Sequence, residues 1–338
     1  MAIIPLHASG FGARRQKAKT AMDVILHIGA HRTASTSFQA YMRCNSEGLA
    51  RDGIGFWGPL RTRGGVLSGV IPILSPVPPK RQLLRARGRI LTQLADAQAR
   101  GFSQLIISDE NIIGAPRQNL RAKALYGGIG ERLARFHHAF DGRITRVVLS
   151  IRSLDNLWAS TLAYAVKRGH SMPSQDLLEK IAAGPRTWRD VITDVACAMP
   201  DVQIQVMPFE TYAGQPEAKL RLMIGGTAKV PLKHHRKWLN RGPDQAQLHE
   251  ILADRGTSAV DLAQADLAGE GRWQPFNRAQ IAQMRENYQD DLYWLRAGAD
   301  GLALLTEETG PHETRNNLAG GLSIKGQNDD RDEKGRVA

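Results

Sequence analysis

DVILHIGAHRTASTSFQ, at residues 23–39, carries the clearest structural signal in the chain. The apolar run Asp23–Gly29 ends at a glycine, a polar turn rich in hydroxyl groups follows, and a helical stretch begins within Ser35–Ser37 and extends to Leu49. A short apolar run bounded by turn residues is typical of a strand, whereas the later residues have helical periodicity. The stretch therefore predicts a strand, a loop and a helix in direct succession.

Further apolar runs alternate with amphipathic helical patterns along the chain. The predicted strands are Gln104–Ser108, Arg146–Ile151 and Val202–Met207, and the predicted helices are Arg81–Arg100, Leu157–Ala165 and Trp188–Ala198. Near-continuous β-branched strands that alternate with helices are typical of a parallel sheet covered on both faces. We therefore expect an α/β fold with a central parallel sheet flanked by helices.

The two ends of the chain have different patterns. Residues 1–21 contain four cations and no acid, and they lack the apolar segment of a secretory signal, so they predict a disordered basic leader. The later stretches Gly242–Arg255 and Phe276–Ala297 have no strand between them and predict a helical C-terminal extension. Residues 306–338 lose apolar periodicity and predict a disordered tail. The expected α/β domain occupies residues 22–305.

Composition excludes some classes of protein and favours anionic partners. Hydrophobic residues make up 42% and charged residues 23% of the 338 residues, which excludes a fibrous or wholly disordered chain. The formal net charge of +12 favours nucleic acid, a membrane surface, an acidic polymer or a multiply phosphorylated small molecule. No apolar stretch approaches the roughly 18 residues that a membrane span needs. Cys44 and Cys197 cannot form a disulfide framework, so we expect a reducing, cytoplasmic location.

The turn after the first predicted strand has the residues of an anion-binding loop. Backbone N–H groups at the helix start, the hydroxyls of Ser35, Thr36 and Ser37, and the Arg32 guanidinium would together surround an anion. The loop is not a Walker A motif, because that motif needs a second glycine followed by Lys and Ser or Thr. A helix that is simply capped by its own hydroxyls is the alternative.

Two other candidate residues follow predicted parallel strands directly. Glu110, preceded by Asp109, follows the second strand, and Arg152 follows the third, with Ser160 eight residues later. Ligands of open α/β sheets bind at this edge, where a carboxylate can act as a general base and an arginine can hold a phosphate. The structural alternatives are a surface ion pair for Arg152 and a pair of helix-start acids for Asp109 and Glu110.

Three motifs together resemble those of the sulfotransferases. HIGAHRTAST, residues 27–36, resembles their 5′-phosphosulfate loop, whose usual bacterial form is HIG-x-x-K-T-G-T-T. IRSLDNLWAS, residues 151–160, resembles their 3′-phosphate motif, and IISDEN, residues 106–111, resembles the strand end that supplies a glutamate base in the carbohydrate-type branch. With weaker similarities in VQIQVMPFETY and YQDDLYWLR, the resemblance spans roughly residues 23–297.

The resemblance implies a P-loop-like sheet and a specific reaction. The family transfers a sulfuryl group from 3′-phosphoadenosine 5′-phosphosulfate to a hydroxyl or amine by in-line attack. The residues that would bind this donor are His31, Arg32, Thr33, Ala34, Ser35, Thr36, Arg152 and Ser160. Arg32 and Glu110 would be catalytic, Glu110 taking the proton of the acceptor, and no metal site is implied. The acceptor would be a small molecule or a carbohydrate.

Two positions depart from the family pattern. Arg32 replaces the family lysine, and Ala34 replaces the glycine two residues later. Arginine keeps the positive charge but does not release its proton, so it can stabilise the leaving phosphate without protonating it. Asn240 and Arg241 lie where related chains often have an Asn-Arg-Ser turn, which makes them further candidates for the donor site.

Two other functions remain open from the sequence. A degenerate member of the family would bind the nucleotide or a sulfated ligand without turnover, and Arg32 and Ala34 motivate this alternative. A basic nucleic-acid-binding protein would use the arginine-rich stretch Lys80–Arg89. We do not expect nucleic-acid binding, because no known module is present and 6% aromatic residues leave little for base stacking.

Overall fold

A computed structural model describes residues 22–225, 230–257, 267, 269 and 271–306. Its strands are β1 Asp23–His27, β2 Ile54–Trp57, β3 Gln104–Ser108, β4 Ile144–Ile151, β5 Gln203–Pro208 and β6 Leu304–Leu305. Its helices are α1 Ser35–Cys44, α2 Ser46–Arg51, α3 Pro59–Arg61, α4 Pro79–Ala99, α5 Pro116–Ala122, α6 Ile129–Ala139, α7 Leu154–Lys167, α8 Gln175–Ala182, α9 Trp188–Ala198, α10 Phe209–Tyr212, α11 Pro216–Ile224, α12 Gln245–Asp254 and α13 Arg278–Arg296. A π-helical turn covers Thr62–Val66, and 3₁₀ turns cover Glu110–Ile113 and Ala299–Gly301.

The six strands form one sheet in the order β2-β3-β1-β4-β5-β6, and every neighbouring pair is parallel. The chain moves outward from β1 to β2, returns through β3, and then continues to β4 on the other side of β1. This change of direction beside β1 is a topological switch point, where loops from adjacent strands diverge and leave a crevice. The expected α/β fold with a parallel sheet is therefore confirmed.

Helices cover both faces of the sheet. Within β1, Val24 and Leu26 pack into one apolar core, whereas Ile25 packs into a second core on the opposite face. The second core is completed by α1, α2 and α11, and the first by the long helix α4 together with α6, α7, α9 and α13. Burial on both faces explains why the inner strands have continuous apolar sequences instead of an alternating pattern.

Most predicted elements agree with the observed bounds to within a few residues, but one predicted helix is divided and several elements were not predicted. The predicted helix from Ser37 to Leu49 is two helices, α1 and α2, which meet at Asn45. Strands β2 and β6, at the two edges of the sheet, were not predicted, and neither were the helices α3, α5, α6, α8, α10 and α11. The predicted leader and tail lie outside the described residues, apart from Thr306. None of the described helices is long and apolar enough to cross a membrane.

Candidate functional site

The candidate site lies at the carboxyl edge of the sheet. The loop 28–34 follows β1, Glu110 follows β3, and Arg152 follows β4. These residues line one cavity of about 960 Å³ together with parts of α7 and of the segment 238–244. The fold therefore brings the three sequence motifs, which are up to 120 positions apart, to a common space.

The backbone of the loop has the geometry of an anion-binding nest. Arg32 and Ala34 have positive φ angles of 68° and 62°, whereas Thr33 between them does not, and α1 begins at Ser35. Backbone that alternates between right- and left-handed conformations turns successive N–H groups toward one point, where they bind anions. No side chain caps α1, and its first turn has no acid, so its N-terminal N–H groups are available to a ligand.

The side chains of His31 and Thr33 form hydrogen bonds within the protein. The His31 ring contacts the Tyr126 hydroxyl through Nδ1 at 3.1 Å and Asn111 Oδ1 through Nε2 at 3.2 Å, and burial lowers the pKa of this histidine. The Thr33 hydroxyl donates to the Ala30 carbonyl at 2.6 Å and is almost fully buried. His31 lines the cavity, whereas Thr33 does not. Thr33 can therefore reach a ligand only through its backbone.

The three hydroxyls at the start of α1 have different surroundings. Ser35 and Thr36 line the cavity, and the buried Ser35 Oγ has no hydrogen-bond partner among the described residues. Ser37 Oγ instead accepts a hydrogen bond from the Leu239 amide at 2.8 Å. The prediction that the Ser37 hydroxyl belongs to the anion cradle was therefore wrong, because this hydroxyl binds Leu239 and Ser37 does not line the cavity.

Arg32 is held on three sides. Its Nε donates to Ser160 Oγ at 3.0 Å, and its guanidinium carbon lies 5.0 Å from the centre of the Tyr164 ring. A Cβ at Gly242 would come within 3.1 Å of an Arg32 nitrogen, so the absence of a side chain at Gly242 permits this close approach. Burial lowers the pKa of Arg32, because the charged guanidinium has lost much of its water.

Arg152 lies directly beside the loop. Its NH1 group donates to the Arg32 carbonyl at 2.9 Å, and its guanidinium lies 4.5 Å from the centre of the Phe209 ring. Arg152 is 5% exposed, and its Nε has no hydrogen-bond partner among the described residues. Burial, followed by the neighbouring charge of Arg272, lowers its pKa to about 10. A buried cation with a free N–H group is a binding point for an anion.

The two acids after β3 have separate roles. Asp109 is buried and accepts hydrogen bonds from the Thr62 hydroxyl at 2.6 Å and from Arg63 NH2 at 2.6 Å, so it anchors the π-helical turn. Glu110 lines the cavity, where it accepts from Gln39 Nε2 at 2.8 Å and from Arg63 NH2 at 3.0 Å. Of the two carboxylates, Glu110 is the one that faces the ligand space.

A buried lysine beneath the loop was not predicted from the sequence. Lys219 of α11 is 2% exposed, and its Nζ donates to the Thr33 carbonyl at 3.3 Å. It forms no ion pair with any described residue, and burial lowers its pKa to about 8. The available signal was a lysine that shares one helical face with the apolar residues Pro216, Leu220 and Met223. The charge of Lys219 therefore lies beneath the loop, on the side of the Thr33 carbonyl.

The second candidate turn also reaches the cavity. Asn240, Arg241 and Gly242 all line it, and the Arg241 guanidinium lies 5.3 Å from the centre of the Trp238 ring. Asn240 has a positive φ of 55°, which turns the backbone sharply at this point. The segment therefore brings a further cation to the wall of the cavity.

The chemistry of this donor set fits a phosphorylated ligand. The nest, the unpartnered Ser35 Oγ and the unpartnered Arg152 Nε are all donors, and each needs an acceptor to offset its burial. No three His, Cys, Asp or Glu side chains of the described residues come together as a possible metal site. No protein-family model, curated protein or solved structure matches this chain.

Proposed function

We propose that the chain is a sulfotransferase that uses 3′-phosphoadenosine 5′-phosphosulfate as donor and a small-molecule or carbohydrate hydroxyl or amine as acceptor. The observation that carries the proposal is the meeting of the loop, Arg152 and Glu110 in one cavity at the switch point of a parallel sheet. In this proposal the sheet is P-loop-like, α12 and α13 are a helical C-terminal extension, and the protein works in the cytoplasm.

The donor would bind to polar groups that have no hydrogen-bond partner within the described part of the protein. The nest, Ser35 and Thr36 would hold the 5′-phosphosulfate, because their N–H and O–H groups are donors only partly used within the protein. Arg152 would hold the 3′-phosphate with the N–H group that has no partner, and Ser160 would orient Arg32 through their hydrogen bond. Two anionic groups would then offset the mutual repulsion of Arg32 and Arg152.

Arg32 and Glu110 have different roles in the proposed transfer. The donor supplies a sulfuryl group whose leaving group is a weakly basic phosphate. Arg32 places a fixed positive charge against the negative charge that develops there. Glu110 accepts the acceptor's proton at its carboxylate, which Gln39 and Arg63 hold in place. Because Arg32 provides the charge, we propose that transfer needs no divalent metal.

The first experiment measures binding of the nucleotide product, adenosine 3′,5′-bisphosphate, by calorimetry. Arg152→Ala should weaken binding by about 10-fold to 10²-fold, since at least one charge-assisted hydrogen bond of about 1.5–3 kcal/mol is lost. Arg51→Ala, which removes an exposed arginine from α2, is the matched control. Equal binding by wild type and Arg152→Ala would reject the site.

A second measurement separates an enzyme from a protein that only binds the nucleotide. The chain is incubated with donor labelled in the sulfuryl group and a mixture of small alcohols, amines and sugars. If the wild type transfers the label and Glu110→Gln transfers it at least about 10² more slowly, the enzyme is supported. Tight nucleotide binding without transfer to any acceptor would support the degenerate alternative, and preference for a random oligonucleotide over the nucleotide would reject both.

A further inference from the structure

A basic segment that lies mostly outside the candidate site forms part of the protein surface. Between Asp52 and Asp96 the sequence contains seven arginines and lysines and no acid. The segment consists of β2, α3, the π-helical turn, a proline-rich loop at 67–78 and most of α4. It also contains four of the large apolar side chains that the described part of the chain exposes: Leu60, Ile73, Leu74 and Leu84.

The apolar tip of the proline-rich loop projects into solvent. Leu74 is 105% exposed and Ile73 is 70% exposed relative to a free reference residue. Prolines at positions 72, 76, 78 and 79 restrict the backbone on both sides of this tip. Exposure of two adjacent aliphatic side chains on a stiff loop is unfavourable in water, so a partner that buries them is indicated.

Hydrogen bonds fix the loop against α4. The buried side chain of Gln82 accepts from the Ile73 amide at 3.1 Å, and it donates to the carbonyls of Ile73 at 2.9 Å and Val77 at 2.8 Å. Arg89 donates to the Val66 carbonyl at 3.1 Å. Gln82 and Arg89 lie on one stripe of α4, so the loop runs along this side of the helix and presents its tip in a fixed position.

Free cations lie on the adjoining face of α4. Arg81, Leu84 and Arg85 occupy helical positions that share one face, and this face lies opposite the buried stripe of Ala86, Ile90 and Leu94. Arg85 is three residues after Gln82 and four residues before Arg89, so it adjoins the two side chains that bind the loop. Arg81, Arg85 and the neighbouring Lys80 are exposed and form no ion pair with a described residue.

We propose that Ile73, Leu74, Lys80, Arg81, Leu84 and Arg85 form a docking surface for an anionic lipid bilayer. Aliphatic side chains at the tip enter the boundary between headgroups and acyl chains, while the cations bind anionic headgroups around them. Charge complementarity favours a bilayer over a neutral partner. The stretch 58–95 contains no aromatic residue on which nucleic-acid bases could stack. A polyanion would also leave the exposed side chain of Leu74 unburied. The proposal does not depend on the sulfotransferase activity.

The test is sedimentation of the full chain with phosphatidylcholine vesicles that contain or lack phosphatidylglycerol. Wild type should bind the anionic vesicles and leave the neutral ones in the supernatant. The variant Lys80→Ser/Arg81→Ser/Arg85→Ser should lose about 10² in affinity, since each cation near an anionic surface contributes about fivefold. The variant Ile73→Ser/Leu74→Ser should lose at least about tenfold through the removed apolar burial.

Two controls match these variants in composition. Arg43→Ser/Arg51→Ser/Arg143→Ser removes three other exposed arginines, and Tyr293→Ser removes another exposed apolar side chain. Both should sediment with anionic vesicles as wild type does, and all variants should keep the wild-type melting temperature because every site is on the surface. Absence of wild-type binding to anionic vesicles would overturn the proposal. Unchanged binding by Ile73→Ser/Leu74→Ser, with displacement by an oligonucleotide, would show a polyanion surface instead.

Discussion

Arg32 is held in a way that suits a fixed charge better than a proton donor. Its Nε donates to Ser160 and its guanidinium carbon lies over the Tyr164 ring, so these contacts restrict the guanidinium. A planar fork stacked on a ring is not equivalent to a lysine ammonium. The residue that departs from the sulfotransferase pattern is therefore supported by contacts of its own.

We expect Arg32→Ala to lower the rate of transfer by about 10² to 10³, the usual effect of removing one preorganised donor. Arg32→Lys should be neutral or slower, because lysine loses the contacts to Ser160 and Tyr164. Both effects are measured as kcat with saturating donor. A faster Arg32→Lys enzyme would mean that the family lysine acts by giving up a proton, and an unaffected Arg32→Ala enzyme would remove the loop from the reaction.

Glu110 and Asp109 should respond differently to loss of charge. Glu110→Gln should slow transfer by about 10² to 10⁴, the usual contribution of a general base, and leave nucleotide binding intact. Asp109→Asn should mainly lower the melting temperature, because the buried carboxylate anchors both Thr62 and Arg63. Activity and thermal unfolding are compared for both variants. If Asp109→Asn has the larger kinetic effect at unchanged stability, the base has been assigned to the wrong acid.

Some residues of the site were accessible to sequence reasoning and others were not. Arg152 and Glu110 could be predicted because each lies within two residues of the end of an apolar run, and the carboxyl ends of parallel strands share one edge. Lys219 could not, because its burial depends on how the distant helix α11 packs beside α1 on one face of the sheet. The Ser37 hydroxyl was misassigned because its partner, Leu239, is some 200 residues later.

At the scale of the loop between β1 and α1, the nest requires left-handed backbone at Ala34. An L-residue in this conformation is destabilised by roughly 1–2 kcal/mol, whereas glycine adopts it freely and loses only about 0.5–1 kcal/mol of that gain to chain entropy. The sequence has alanine at the position where the family pattern has glycine. The loop therefore carries backbone strain at the point where α1 begins.

Ala34→Gly should raise the free energy of unfolding by about 0.5–1 kcal/mol, which corresponds to a melting temperature higher by about 1–4 °C for a domain of this size. The matched control is Ala95→Gly at an exposed position of α4, which should lower stability by about 1 kcal/mol. Thermal unfolding followed by circular dichroism gives both values. Equal destabilisation by the two substitutions would show that residue 34 is not left-handed.

The elements that sequence reasoning found and missed differ in their local signals. α9 matches its predicted range, and a capping box between Thr187 and Asp190 fixes its start. β2 was missed because its four residues IGFW include a glycine and give no clear alternation, and β6 because two residues are too short for any periodicity. Both are held by neighbours in the sheet, β3 and β5, and such long-range pairing leaves no local pattern.

At the scale of the whole molecule, His27 links global stability to pH. It is 1% exposed in the centre of the sheet, where its Nδ1 lies 2.8 Å from Ser108 Oγ on the adjacent strand. Its Nε2 has no partner among the described residues. Burial, with a smaller contribution from the charge of Lys219, lowers its pKa from 6.5 to about 3. The folded protein therefore keeps this ring neutral throughout the range in which the unfolded chain takes up a proton.

The lowered pKa of His27 should make the folded protein less stable as the pH falls. Below pH 6.5 the unfolded state binds a proton at residue 27 and the folded state does not, so stability falls by up to about 1.4 kcal/mol for each pH unit until about pH 3. His27→Asn cannot titrate and should have a lower stability at pH 7 but a shallower decline between pH 6.5 and pH 4. His170→Asn, at an exposed position, is the control and should follow the wild-type curve. Urea unfolding at several pH values measures all three slopes. If His27→Asn declines as steeply as wild type, other groups govern the loss of stability in acid, and the neutral ring at the centre of the sheet is not its cause.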